Sequence, residues 1–309
     1  MDTRKAPDGF AIGTMLLLCV IWGIQQVAIK VAAPDIAPTM QIALRSMAGA
    51  VLVALAVAAD RPPVERGAWR PGLLAGGLFS MEFYFIGEGL RYTTASHMSV
   101  FVYTAPIFTA LGLHATLPDE RLLPMQWTGI AIAFAGIAVA FLSNSADAAV
   151  TPAMLWGDTL GLLAGAAWGG TTVLIRCSSL ARAPASVTLL YQLACAGVLV
   201  LGMAAVSGQT RVVPTPVSMA SLAFQIVVVS FFSLLAWFWL LRRYLAARLS
   251  IFTFVTPLLG VAFGATLLDE PLSPGFLGGG ALVLAGITLV NAAGLLRGLR
   301  GRLARRPRP

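Results

Sequence analysis

The sequence predicts an all-α integral membrane fold of ten transmembrane helices, arranged as two inverted repeats of five. Three observations carry that expectation. Of the 309 residues 58% are hydrophobic and 11% charged, with a mean hydropathy of +0.84, more apolar surface than a soluble core can hide. The apolar residues fall into segments of about twenty, the length that crosses a ~30 Å hydrocarbon layer as helix. The chain also repeats itself, which has to be settled before single residues are interpreted.

The ten segments are 10–33, 38–59, 71–91, 95–117, 124–142, 155–176, 185–206, 217–240, 246–268 and 275–296. The first follows a short polar stretch and runs into Lys30 without a small-residue cleavage site, so it is read as a retained span, not a signal peptide. The fourth and fifth form a hairpin, Arg91 to Val139, that recurs after Leu241. Ser99, Tyr103 and Pro106 match Ser250, Phe254 and Pro257 at an offset of 151. After one extra residue in the first copy, Thr116, Glu120, Pro124, Gly129 and Gly136 match Thr266, Glu270, Pro274, Gly279 and Gly286 at 150. The first span recurs as the sixth: Trp22-Gly23, Lys30 and Pro38 match Trp168-Gly169, Arg176 and Pro184 at 146. The halves are therefore 10–142 and 155–296, joined by a small polar linker around Ser143 to Thr151 and followed by a basic tail, 297–309. Five spans per half is an odd number, so equivalent helices run in opposite directions. That arrangement lets a central site open alternately to either side.

Charge sets the orientation. With the N-terminus inside, the loops on the cytoplasmic side hold 17 Lys and Arg, and the other side holds Lys30, Arg91 and Arg211. Both termini are expected in the cytoplasm, with the arginine-rich tail on anionic headgroups or solvated. The net charge of +8 thus reflects membrane topology, and a nucleic-acid partner is not expected. Cys19, Cys177 and Cys195 lie in or at the end of predicted spans without CxxC spacing, so neither a disulfide framework nor a metal site is expected.

The repeated pattern of Trp-Gly followed by a basic residue, with Pro38 and Arg45 in the first half, YTTAS leading to a YTAP-type proline, and DERL or DEPL before a glycine-spaced last helix, resembles the EamA-type branch of the drug/metabolite transporter superfamily. The likeness covers nearly the whole chain, and its order, spacing and duplication are more specific than any one motif. It is most similar to the bacterial ten-helix exporters of amino acids, aromatic ones included, and of toxic cations. That resemblance implies the bacterial inner membrane, efflux of a small-molecule substrate and no cofactor. Tyr191 stands where the first half has Arg45, so the halves are not equivalent.

Several faces could line a substrate cavity. Trp22, Gln25, Gln26 and Ile29 share one helical face, and Trp168, Thr171, Thr172 and Ile175 the equivalent one. Polar groups at membrane depth are costly unless bonded or wet, so these are either cavity walls or interhelical bonds. Ser99, Tyr103 and Pro106 share a face in span four, mirrored by Ser250, Phe254 and Pro257; Pro106 and Pro257 are hinge candidates or static kinks. In span three Tyr84, Glu88 and Arg91 share a face. Glu88 is either a ligand for a substrate's cationic group or the partner of Arg91. Glu82, near mid-span, is the proton-coupling candidate, because insertion scales place a central carboxylate at roughly +2.5–3.5 kcal/mol. Of Trp237 and Trp239, on different faces, at most one lines the cavity. His97 and His114 read first as structural, and Lys30, Arg45 and Arg176 as snorkelling or carbonyl-capping residues. Asp119-Glu120 and Asp269-Glu270 read as turn and cap residues, with a gate latch as the alternative.

Together these features describe a secondary transporter that binds small amphipathic solutes by stacking, apolar contact and cation–π attraction. No HExxH, GxSxG or Walker A pattern is present, which argues against an intramembrane enzyme or an ATP-driven pump. A passive channel would show flux without saturation.

Overall fold

The computed structural model describes residues 8–62, 67–118, 121–144, 151–244 and 252–304. Within them the chain is mainly helical, with an isolated antiparallel bridge between Ile36 and Val212.

Helix α1 (Gly9–Ala32) starts where the Asp8 carboxylate accepts the Ala11 N–H, satisfying a donor that a helix start leaves open. α2 (Pro38–Asp60) opens on a proline and stops at Arg61, whose φ of 42° is left-handed. α3 spans Trp69–Gly89. The fourth expected span is divided: α4 (Ala95–Val102), capped by the Thr94 hydroxyl, ends at Tyr103, and α5 (Ala105–Thr116) restarts beyond Thr104. α6 (Pro124–Asn144), α7 (Pro152–Arg176) and α8 (Ala185–Val206) follow as expected. The eighth span is composite, with α9 (Pro216–Ala223) passing through a π-helical stretch, Phe224–Ser233, into α10 (Leu234–Arg243). α11 (Val255–Leu267) continues from a 3-10 turn at Phe252–Phe254, and α12 covers Pro274–Ala304.

Five stretches, Gly9–Ala32, Pro38–Asp60, Ala95–Thr116, Ala185–Val206 and Pro216–Trp237, are long and apolar enough to cross a membrane. Large apolar side chains such as Leu55, Leu74 and Val198 point away from the interior, as lipid-facing residues do.

The structure departs from the sequence reading in three places. Pro106 does not interrupt a continuous helix: it lies in the first turn of α5, where the missing N–H would be unpaired in any case, and the bend falls upstream at Tyr103–Thr104. Pro257 likewise sits in the first turn of α11. The expected tail from 297 is helical as far as Ala304.

Packing follows the repeat. α1 packs on α11, while α7, its counterpart, packs on α5, the counterpart of α11. The contact points correspond as well. A Cβ on Gly23 would meet Leu259 Cβ at 3.0 Å and the Gly260 nitrogen at 3.2 Å, and one on Gly169 would meet Phe108 Cβ at 2.6 Å and the Thr109 nitrogen at 2.9 Å. The glycines are separated by the offset of 146 and their partners by the offset of 151. Each Trp-Gly glycine is thus the point where two helices touch backbone to backbone. α6 and α12 cross in the same reciprocal way: a Cβ on Gly129 would lie 2.8 Å from the Gly286 carbonyl oxygen, and one on Gly136 2.6 Å from that of Gly279. Ile130, Ile137, Val283 and Ile287 fill this crossing, with Phe101 and Phe276 beside it.

Candidate functional site

The two Trp-Gly tryptophans stand beside aromatic partners. The Trp22 indole N–H donates to Ser233 Oγ at 3.0 Å, and its ring meets Trp237 edge-on at 5.9 Å. Trp168 meets Tyr103 edge-on at 5.3 Å. The break between α4 and α5 leaves Tyr103 outside regular helix, where its hydroxyl is within electrostatic reach of Thr256, Cys19 and Glu82. The Phe254 side chain and Ser250 lie outside what the structure describes.

The polar members of these faces divide into two groups. Thr171 and Thr172 turn their hydroxyls back to the carbonyls of Ala167 and Trp168, at 2.9 and 3.1 Å, so they bond within α7. Ser99 donates to the Ala95 carbonyl at 2.8 Å and lies against Gly260 of α11. Gln25 and Gln26 are buried on α1, and the Gln26 side-chain oxygen has no partner among the described residues.

The structure brings Glu82 of α3 near Arg45 of α2. Both are buried, at 5% and 3% exposure, and their charges act on one another, yet no ion pair joins them among the described residues. The Arg45 guanidinium lies over the Phe83 ring at 4.7 Å. Glu82 Oε2 and Arg45 Nη1 are buried without hydrogen-bond partners among the described residues. Buried charges that are neither paired nor hydrated are too costly to persist, so α2 and α3 present polar atoms whose needs water, a proton or a ligand must meet.

Glu88 occupies a different environment. At the end of α3 it accepts from Arg91 Nη1 at 2.7 Å and from the Tyr92 hydroxyl at 3.2 Å, and Gln209 Nε2 donates to its other oxygen. Tyr84, one turn earlier, is half-buried beside Phe85 with ring centroids 6.0 Å apart.

A second polar cluster lies where α1 and α3 finish and α4 and α7 begin, and sequence reading missed most of it. His97 Nδ1 is 2.9 Å from an oxygen of Asp158, whose other oxygen accepts from the Thr93 hydroxyl. The His97 ring stacks flat on Phe276 with centroids 3.9 Å apart. Next to it, Glu270 accepts from the backbone N–H of Ala95 at 2.7 Å, and from the Ser96 N–H and hydroxyl at 2.9 and 2.6 Å. Glu270 therefore caps the start of α4 from the turn between α11 and α12. Lys30 Nζ donates to the carbonyls of Leu90 and Thr93 at 2.5 and 2.6 Å, the capping role expected of it. His114 sits elsewhere, accepting the Leu122 N–H at 3.0 Å and meeting Trp127 edge-on. Asp119 and Glu120 lie outside the described residues.

Comparison with known proteins agrees with this architecture. The EamA-like transporter family matches residues 9–142 and 155–292. An uncharacterized transporter of Archaeoglobus fulgidus is 26% identical over 286 residues, 89% of this chain and 96% of the relative. A probable amino-acid metabolite efflux pump of Escherichia coli strain K12 is 28% identical over 293 residues, 91% and 94% of the two chains. A solved crystal structure, 21% identical, superposes with a TM-score of 0.62 over 93% of this chain and 99% of the other; at that identity the likeness concerns the fold.

Proposed function

Because the chain belongs to the EamA-like transporter family, we propose that it is a secondary transporter exporting small amphipathic metabolites across the bacterial inner membrane by alternating access. Its substrates are amino acids, aromatic ones included, and organic cations. Ten spanning segments form two inverted five-helix repeats with both termini in the cytoplasm. The reciprocal glycine contacts, Gly23 on Leu259–Gly260 and Gly169 on Phe108–Thr109, support that symmetry, because equivalent residues make equivalent contacts across the halves. The name of the Escherichia coli relative supports the substrate class.

The observation that carries the transport reading is the pair of unmet buried polar atoms on Glu82 and Arg45, with Tyr103 near Glu82 and against the Trp168 ring. Aromatic faces accept a flat apolar body or a cation, and a carboxylate with a guanidinium suits a zwitterion. Trp22, Gln25, Gln26 and Trp237 extend the wall on the α1 side, with Thr171 and Thr172 opposite. Ser99, Phe254, Tyr84 and Glu88 complete the candidate cavity. Glu82 takes and gives the coupling proton, and the helix restarts at Pro106 and Pro257 act as hinges.

The test is uptake of labelled phenylalanine, threonine and methyl viologen by proteoliposomes, with and without a pH gradient. Saturable flux that follows the gradient in wild type, and loses that dependence in Glu82→Gln while flux persists, is the expected result. Saturable flux indifferent to the gradient would remove Glu82 as the coupling group and leave the transporter. Linear flux without saturation would turn the reading to a channel.

A further inference from the structure

The chain places few cations on the face opposite its arginine-rich tail, and the structure gathers them. Lys30, Arg91 and Arg211 are far apart in sequence, yet all three line one pocket of about 510 Å³, together with Pro34, Pro38 and Gln209. The volume falls in the range of small-molecule sites.

The pocket is framed by tied backbone. Ile36 bridges Val212, the Val213 N–H donates to the Asp35 carbonyl at 2.9 Å, and the Thr39 hydroxyl donates to Gln209 Oε1 at 3.0 Å. The counter-charges are already engaged. Glu88 holds Arg91 and Gln209, and Asp35, behind the lining, takes the Thr215 hydroxyl. The Arg211 side chain has no hydrogen-bond or ion-pair partner among the described residues, and the Lys30 ammonium, with two N–H groups on carbonyls, keeps a third donor. Glu270 also acts on the Lys30 ammonium, so three cations meet three carboxylates, and the positive charge left free at the pocket is that of Arg211. An arginine fork beside an ammonium fits a planar carboxylate.

We propose that this pocket is an anion site that binds the carboxylate of a small amphipathic solute at the outer mouth of the protein. The inference deepens the transporter reading, on which it rests for the origin of the ligand, but binding is measured without transport. Lys30 and Arg211 hold the carboxylate, and Gln209 and Glu88 fix Arg91 at the rim.

The experiment measures binding of labelled phenylacetate to the full chain in phosphatidylcholine nanodiscs at low salt, with phenylethylamine as the competitor that lacks a carboxylate. Arg211, exposed at the surface, is replaced by Gln and, conservatively, by Lys. We expect saturable binding that phenylethylamine does not displace, weakened about tenfold in Arg211→Gln, the scale of one charge-assisted bond, and partly restored in Arg211→Lys. Unchanged affinity in Arg211→Gln, or no binding to wild type, would overturn the site. Loss of phenylacetate binding when phosphatidylglycerol replaces phosphatidylcholine would give the pocket to an anionic lipid headgroup and overturn the solute assignment. Binding without flux of any solute would refute transport and leave the anion site standing. Flux with no Arg211-dependent binding would do the reverse.

Discussion

Asp158 is fully buried, and it serves two donors at once, His97 through one oxygen and Thr93 through the other. Truncating it leaves both without an acceptor inside the bundle. Asp158→Ala is therefore expected to lower unfolding free energy in detergent by about 3 kcal/mol, the scale of leaving two buried hydrogen-bonding groups without their acceptor. Asp158→Asn, which keeps one acceptor, should lose less. A double-mutant cycle with His97→Ala should be strongly non-additive, and additive losses would show that the two side chains do not act together. Part of this was legible in the sequence. Asp158 is the only carboxylate within 152–176, and a lone acid in an apolar segment asks for a partner. The partner was not legible, because it lies 61 residues away and no periodicity connects two helices. Glu82 has the same history. Its cost was visible from its position, but the nearness of Arg45 depends on how α2 and α3 pack.

At the scale of elements, small residues decide which helices meet. Gly169 and its neighbour Gly170 look alike in sequence, yet only the first faces α5. A Cβ on Gly169 would come within 2.6 Å of Phe108 Cβ and 3.0 Å of the Ala105 carbonyl, while one on Gly170 meets only Leu78 Cδ1 at 3.8 Å. Gly169→Ala should cost about 1–3 kcal/mol through overpacking. Gly170→Ala should be neutral or stabilising by up to ~1 kcal/mol through helix propensity. Thermal unfolding of the two variants in one detergent checks this, and equal effects would mean that α7 does not approach α5 as described. The Trp-Gly pairs marked cavity walls in the sequence, and their glycines turn out to be packing points, which the repeat could have suggested. The π-helical stretch at Phe224–Ser233 and the break at Tyr103–Thr104 carry no comparable sequence signal, since an apolar run reads the same through α, π or restarted helix. Because Pro106 starts α5, Pro106→Ala should change unfolding free energy by less than ~1 kcal/mol. A larger transport defect at unchanged stability would then be the mark of a hinge.

For the whole molecule, what matters is how the halves are held. Glu270 belongs to the second half and binds the first turn of α4 in the first, through three hydrogen bonds from residues about 175 positions away. Such a carboxylate at a helix start satisfies open N–H donors and opposes the positive end of the dipole, so it closes the bundle at that end. Glu270→Ala should raise labelling of a cysteine at Ser99 by a membrane-impermeant thiol reagent added on the Glu270 side, in a background lacking the native cysteines. Glu270→Gln, which retains one acceptor oxygen, should give a smaller rise. The repeat makes a second demand. Glu120 is the equivalent of Glu270, and the residues equivalent to Ala95 and Ser96 are Ala246 and Ala247. If the halves are inverted copies, Glu120→Ala should favour exposure to the opposite face, increasing labelling from that side and reducing it from the Glu270 side. That expectation comes from the repeat alone, since Glu120 and Ala246 lie outside the described residues. Opening of the same face by both substitutions would contradict the inverted arrangement, because equivalent latches in antiparallel halves must guard opposite ends.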